Sequence, residues 1–208
     1  MCCSSTAYRS GEAVHDLAWL RLGDFYRHHL KDEKRALAAY LHVCNRTTWA
    51  PWGTPPKPVS TGAGETLVKA TTAASEILRK QGKLDEVRKL QFNLHKAQAE
   101  AAAGLLEEAE TIARFRELLA LPAALSPEVD ACAKRIEGLP GAGRAKVLAN
   151  LAGMATDLSA DARDVLVTAA AGPDAETAGT ALRALLVFVP PEKTDELLTG
   201  AREQDAAP

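Results

Sequence analysis

The chain has 208 residues, of which 47% are hydrophobic but only 5% aromatic, and its formal net charge is −2. This balance excludes the strongly basic face that nucleic-acid binding requires, so no nucleic-acid partner is expected. No apolar run reaches membrane-spanning length, and the N-terminal segment lacks the continuous apolar core of a secretory signal. We therefore expect no membrane partner and a cytoplasmic location.

The composition favours helices throughout the chain. Ala, Leu, Glu, Lys, Arg and Gln dominate, and these residues have the highest helix propensities. Val and Ile are sparse, and no stretch alternates apolar and polar residues as a strand does. The sequence therefore predicts an all-α fold.

The first half of the chain shows four helical segments. Gly82 follows a basic last turn and is expected to end the third helix, whereas Gly104 is expected to kink or split the long fourth one. The expected order is a helix over 12–30, a helix over about 34–44, a Trp- and Pro-rich loop at 45–64, a helix over about 65–81, and a helix from Leu84 to about 121.

Shorter helices with clearly marked starts follow Pro122. Ser126 is an expected N-cap with Pro127 in the first helical position, Ser159 and Asp174 are expected N-caps, and a last helix opens near Pro191. The predicted organisation is a frayed terminus at 1–10, a repeat region at 11–121, a helical-hairpin region at 122–203 and a tail at 204–208.

The first two helices carry a recognisable pattern, Trp19-x-x-Leu22-Gly23-x-x-Tyr26 followed by Ala36-x-x-x-Tyr40. It resembles the tetratricopeptide repeat, whose large residues fill the seam between two antiparallel helices and whose small residues let the backbones approach. The match has one extra residue between its two halves, and the closing proline of the family is displaced, with Pro51 as the nearest candidate. The resemblance implies one buried cluster of Trp19, Leu22, Tyr26, Leu37 and Tyr40, with Gly23 close to Ala36.

Residues 65–95 look like a second, degenerate copy of the same pattern. The dipeptide Ala74-Ser75 stands where Leu-Gly belongs, Gly82 lies in the turn, and Thr71 occupies the tryptophan position. Leu78 replaces the tyrosine, and Val87 replaces the small residue of the second helix. The resemblance covers about half of the chain.

The second half suggests another repeat, with a spacing of 33 residues. At this offset Ser126 corresponds to Ser159, and each unit reads as a helix, a Gly–Pro turn and a helix. With the tetratricopeptide-like half, this pattern predicts an α-solenoid of antiparallel helical hairpins. Further correspondences at the same offset join Pro140 with Pro173, Ala145 with Ala178, and Met154 with Val187.

Catalytic and metal-binding patterns are not found. His28, His29 and His42 with Cys44 invite a metal interpretation, but their spacings diverge on a helix, and a site would need His28 and His42 to meet across the hairpin. The segment "GLPGAG" at 138–143 lacks the Lys-Ser/Thr ending of a phosphate-binding loop and reads as a helix–helix turn. We therefore expect no enzyme, no metal and no cofactor.

The tetratricopeptide resemblance implies a binding surface on the face formed by the first helix of each repeat. The residues expected there are Asp24, Arg27 and His28 from the first copy, and Glu76, Arg79 and Lys80 from the second. The basic members of this set would favour an acidic protein or peptide segment. The alternative is that these side chains simply face water, as charged residues on helices usually do.

The loop at 45–64 contains two of the three tryptophans, Trp49 and Trp52. A loop this long, stiffened by prolines and carrying large aromatic surfaces, is not typical of a passive helix–helix connector. Packing onto the chain's own helices is one interpretation, and a partner-facing hot spot is the other. We expect Trp49 to be mostly buried and Trp52 to remain partly exposed for a partner.

These expectations point to a protein–protein interaction scaffold or adaptor that uses a helical-repeat surface. The alternative is a regulatory or accessory segment of a larger multidomain enzyme or kinase-type protein.

Overall fold

The computed structural model describes residues 6–46, 61–190 and 192–194, with side chains described over 15–45, 64–190 and 192–194. These ranges contain helices and turns and no strand, which confirms the all-α prediction. The helices are α1 (Thr6–His28), α2 (Glu33–Arg46), α3 (Thr61–Lys80), α4 (Leu84–Leu105), α5 (Glu108–Leu119), α6 (Pro127–Glu137), α7 (Gly141–Met154), α8 (Ala160–Ala171) and α9 (Ala175–Val187), and residues 192–194 are also helical.

Contacts divide the chain into two units, Met1–Ala101 and Ala102–Pro208. The division falls inside α4, so α5 belongs to the second unit and contacts α8 and α9. The sequence-based boundary at 121/122 leaves α5 with the first half. The long fourth helix predicted from the sequence is split, because α4 ends one residue after Gly104 and α5 starts at Glu108.

The first unit is built on the hairpin of α1 and α2, and α3 packs against both of these helices. Tyr40 of α2 is completely buried, and Trp19, Tyr26 and Leu37 pack around the same core as predicted. Two residues from the start of α4, Val87 and Leu90, complete it. The buried members of this core are Leu20, Ala36, Tyr40, Val43, Cys44, Ala70, Ala74, Ile77, Leu78, Val87 and Leu90.

Leu22 is not part of this core, so its predicted place in the buried cluster is wrong. Its side chain is 36% exposed, whereas that of Leu20 is only 6% exposed. Leu22 lies four residues after Ala18 and three before Phe25, and residues at these spacings share one helix face. That face points away from α2 and α3, so Leu20 supplies the leucine of the seam.

The turn after α1 accommodates the extra residue of the first repeat copy. Residues 29–32 connect α1 to α2, while residues 81–83 connect α3 to α4. In the shorter turn Gly82 has a φ of +74° and its N–H donates to the carbonyl of Arg79, as in a Schellman motif. In the longer turn the left-handed position falls on Lys31, with a φ of +53°.

The second unit is organised around α9, which contacts α5, α6, α7 and α8. A helix that is apolar on nearly all sides must be buried, and α9 fits this description along most of its length. Glu176 lies in its first turn, and Arg183 is the charged residue among its buried positions, where the guanidinium reaches Asp130 and Glu137 of α6. The buried residues of α9 are Ala178, Gly179, Ala181, Leu182, Ala184, Leu185 and Leu186.

The 33-residue spacing reappears in the helix ends of this unit. Ser126 and Ser159 both act as N-caps, each accepting a hydrogen bond of 3.3 Å from the backbone N–H three residues later. The helices that they cap begin at Pro127 and Ala160, a separation of 33 residues. The same spacing relates buried positions, which are Ala133 and Leu166, Ile136 and Ala169, Leu148 and Ala181, and Leu151 and Ala184.

Two arginines cap the opposite ends of the α7–α8 hairpin. Arg144 near the start of α7 donates to the carbonyl oxygen of Ala170 at the end of α8, at 2.7 Å. Arg163 near the start of α8 donates to the carbonyl oxygen of Ala152 near the end of α7, at 3.3 Å. Cations at helix C-termini satisfy carbonyls without intrahelical partners and oppose the negative end of the dipole. The two hydrogen bonds therefore hold the antiparallel helices together at both ends of the hairpin.

Candidate interaction surface on the first and third helices

The surface predicted from the sequence lies where α1 and α3 run side by side. Arg27 of α1 donates from Nη2 to Oε2 of Glu76 on α3, at 2.6 Å. This carboxylate raises the pKa of the Arg27 guanidinium above its ordinary value. The structure therefore brings together one predicted residue from each repeat copy and joins the two helices directly.

Asp24 lies one turn earlier on α1 and binds α2. The Tyr40 hydroxyl donates to Oδ1 of Asp24 at 2.9 Å. Burial and this carboxylate together raise the pKa of Tyr40 to about 12. Asp24 therefore has a structural role, because it accepts the hydrogen bond of the Tyr40 hydroxyl, and Tyr40 is the largest fully buried side chain.

Only some of the basic residues predicted for the surface form ion pairs within the described part of the chain. Lys80 at the end of α3 donates to Oε1 of Glu33 on α2 at 2.9 Å. His28 and Arg79 are exposed, and neither has an ion-pair partner among the residues that the structure describes. Of the four predicted basic groups, His28 and Arg79 are therefore the two that can meet a partner without breaking an internal ion pair.

The two loop tryptophans, Trp49 and Trp52, lie outside the described residues. The predicted burial of Trp49 and the predicted partner contact of Trp52 stay predictions.

His42 lies close to His15 and not to His28, the histidine that a metal site across the hairpin would need. His42 of α2 lies against Trp19 of α1, with ring centroids 4.2 Å apart, and the His15 ring is 5.8 Å from that of His42. His28 is not in this group. Over the described part of the chain, no three His, Cys, Asp or Glu residues form a group that could hold a metal ion.

An apolar face on α1 was missed in the sequence analysis. Leu17, Leu22 and Phe25 are 43%, 36% and 48% exposed, although the tetratricopeptide resemblance implies a buried place for Leu22. Leu22 lies three residues after Trp19 and four before Tyr26, so the same spacing rule that groups it with Phe25 also places it beside the core residues of α1. Spacing alone therefore gave no signal that Leu22 faces outward.

Comparison of the chain with protein-family models, curated proteins and solved structures finds no match. None of the helices that the structure describes combines the length and apolar character needed to cross a bilayer.

Proposed function

We propose that this chain is a protein–protein interaction scaffold or adaptor of the tetratricopeptide type, which binds an acidic protein or peptide segment on the α1–α3 surface. The observation that carries the proposal is the placement of α1 and α3, which lie next to each other with α2 packed against both. In tandem helical hairpins, the first helices of neighbouring repeats line the binding face.

The packing of the individual repeat positions supports this reading. Gly23 faces the ring of Tyr40 on the second helix, as a small residue in the seam of a hairpin should. In the second copy, Ala74, Ser75 and Leu78 are buried at the corresponding positions. The finer assignment, an α-solenoid of such hairpins continued through the 33-residue units, belongs to the same proposal.

The electrostatics of the surface favour an acidic partner. His28 and Arg79 are exposed at the ends of α1 and α3, where basic side chains are also compatible with the helix dipoles. A carboxylate-rich segment could contact both without displacing the Arg27–Glu76 ion pair. Rim charges of this kind mainly govern selectivity and association rate.

The test uses the full chain as bait, followed by direct titration of each recovered protein after purification. Arg79→Glu should weaken binding by about tenfold or more, because it places a carboxylate against an acidic segment. The matched control is Lys89→Glu, the same charge reversal at an exposed position of α4. Equal affinity of both variants for every purified partner would overturn the proposed surface.

A further inference from the structure

The outward face of α1 is an apolar helix surface that the described residues leave uncovered. Ala18, Leu22 and Phe25 follow the i, i+4, i+7 spacing of one face, and Leu17 lies at its border. Phe25 is 48% exposed and Leu22 is 36% exposed. Large apolar side chains grouped on one helix face are typical of surfaces that a partner covers.

The second repeat copy indicates what covers such a face. The pattern relates Leu22 to Ala74, an offset of 52 residues, and the same offset relates Ala18 to Ala70 and Phe25 to Ile77. Ala70, Ala74 and Ile77 are completely buried. Helices α1 and α2 pack against α3 and supply this cover. The equivalent face of α1 is therefore shaped to receive a helix.

The charged side chains beside this face indicate which kind of partner helix would bind there. The exposed charged or titratable side chains described on α1 are His15, Arg21 and His28, His29 follows directly after the helix, and none of the four is a carboxylate. The two described acidic residues of α1 offer little charge to this surface. The side chain of Asp16 is only 16% exposed, and the carboxylate of Asp24 accepts a hydrogen bond from the Tyr40 hydroxyl. Pairing two copies of this face would place Arg21 on both sides of the contact, with no exposed carboxylate among the described residues of α1 to balance it.

We infer that the outward face of α1 docks an amphipathic helix of a partner protein whose apolar stripe is flanked by carboxylates. Phe25 and Leu22 enter the apolar stripe, and Arg21 with the neighbouring imidazoles faces the acidic border. This inference rests on the proposed function, because the repeat pattern supplies the correspondence between α1 and α3. The face is distinct from the Arg79 end of the α1–α3 surface.

The probes are two synthetic helical peptides with the same apolar stripe, one flanked by Glu and the other by Lys. Fluorescence anisotropy with the full chain should show tighter binding of the Glu peptide. Phe25→Asp and Leu22→Asp should each weaken it by about tenfold or more, the size of an interface hot spot. Leu84→Asp is the matched control, because Leu84 is a 54% exposed leucine outside this face. Arg21→Glu should shift the preference towards the Lys peptide.

Three results would overturn the inference. The first is equal binding of the two peptides, and the second is binding that Phe25→Asp does not weaken while the variant keeps its helical circular dichroism. The third is a concentration-dependent dimer in sedimentation velocity that Phe25→Asp abolishes, since a second copy would then cover the face. Each leaves the proposed function open to its own test, because a partner sensitive to Arg79→Glu can still bind the Phe25→Asp variant.

Discussion

Gly23 of α1 lies directly against the ring of Tyr40 on α2. A Cβ built on Gly23 would be 2.5 Å from Cε1 of Tyr40 and 2.7 Å from Cδ1, closer than carbon atoms can approach. The ring has little freedom to withdraw, because it is fully buried and its hydroxyl is bound to Asp24. The close approach of α1 and α2 therefore depends on the missing side chain.

Gly23→Ala should destabilise the first unit by about 1–3 kcal/mol through overpacking, although Ala is the better helix former by about 1 kcal/mol. Urea unfolding followed by circular dichroism measures the change. Gly64→Ala is the matched control, because a Cβ at Gly64 of α3 would meet nothing within 4 Å. Adding Tyr40→Leu to Gly23→Ala should recover part of the loss, and a Gly23→Ala variant as stable as the parent would exclude this packing.

The Tyr40–Asp24 hydrogen bond predicts a loss of stability in alkaline solution. The pKa of Tyr40 is raised to about 12 in the folded chain, whereas an unfolded tyrosine has a value near 10. The contribution of Tyr40 to the free energy of unfolding is fully present below pH of about 10. It is lost as the pH rises towards the pKa of Tyr40 in the folded chain. Thermal unfolding at several pH values should therefore show the parent approaching Tyr40→Phe above pH of about 10. A difference between the two proteins that stays constant with pH would contradict the assignment.

Local signals in the sequence were sufficient for the helix ends. Ser126, Ser159 and Asp174 cap helices as expected, because an N-cap depends on one side chain and the backbone three residues later. Gly82 ends α3 for a similarly local reason, since its left-handed conformation suits glycine. Residues 138–140 form the predicted helix–helix turn, with Gly138 and Pro140 as the two caps, and 141–143 are already the first residues of α7.

Packing partners were harder to predict, because they depend on residues far apart in the chain. The sequence places Leu22 in the core, yet the side of α1 that α2 covers is set by Gly23 and Tyr40, and Leu22 lies outside it. The predicted surface residues Arg27 and Lys80 are engaged by Glu76 and Glu33, at sequence separations of 49 and 47 residues. Helical periodicity indicates a face but cannot identify the helix that covers it.

The two turns with a left-handed residue give a pair of predictions of opposite sign. Gly82→Ala should destabilise the first unit by about 1 kcal/mol, because a Cβ there meets no atom and the whole cost is the left-handed backbone. Lys31→Gly should stabilise it by about 0.5–1 kcal/mol, since the strain of a left-handed lysine exceeds the added chain entropy. Urea midpoints that move in the same direction for both variants would argue against these turn conformations.

The ion pairs of Arg183 should stabilise the second unit more than its exposed ion pairs do. Arg183 is 21% exposed and contacts Asp130 at 2.9 Å through Nε and Glu137 at 2.7 Å through Nη1. Lys134 and Arg183 hold the pKa of Asp130 below its usual value, so this contribution is present at neutral pH and is lost as the carboxylate becomes protonated in acid.

Arg183→Met should therefore lower the unfolding midpoint of the second unit at neutral pH, because it removes the cation that Asp130 and Glu137 of α6 share. The matched control is Arg116→Met, which removes the ion pair with Glu176. The side chain of Arg116 is 54% exposed and that of Glu176 is 77% exposed. Exposed pairs contribute little, so this control should leave the unfolding midpoint nearly unchanged. The deficit of Arg183→Met should also shrink as the pH falls and both carboxylates become neutral. Equal effects of the two substitutions would show that the Arg183 pairs are no stronger than surface contacts.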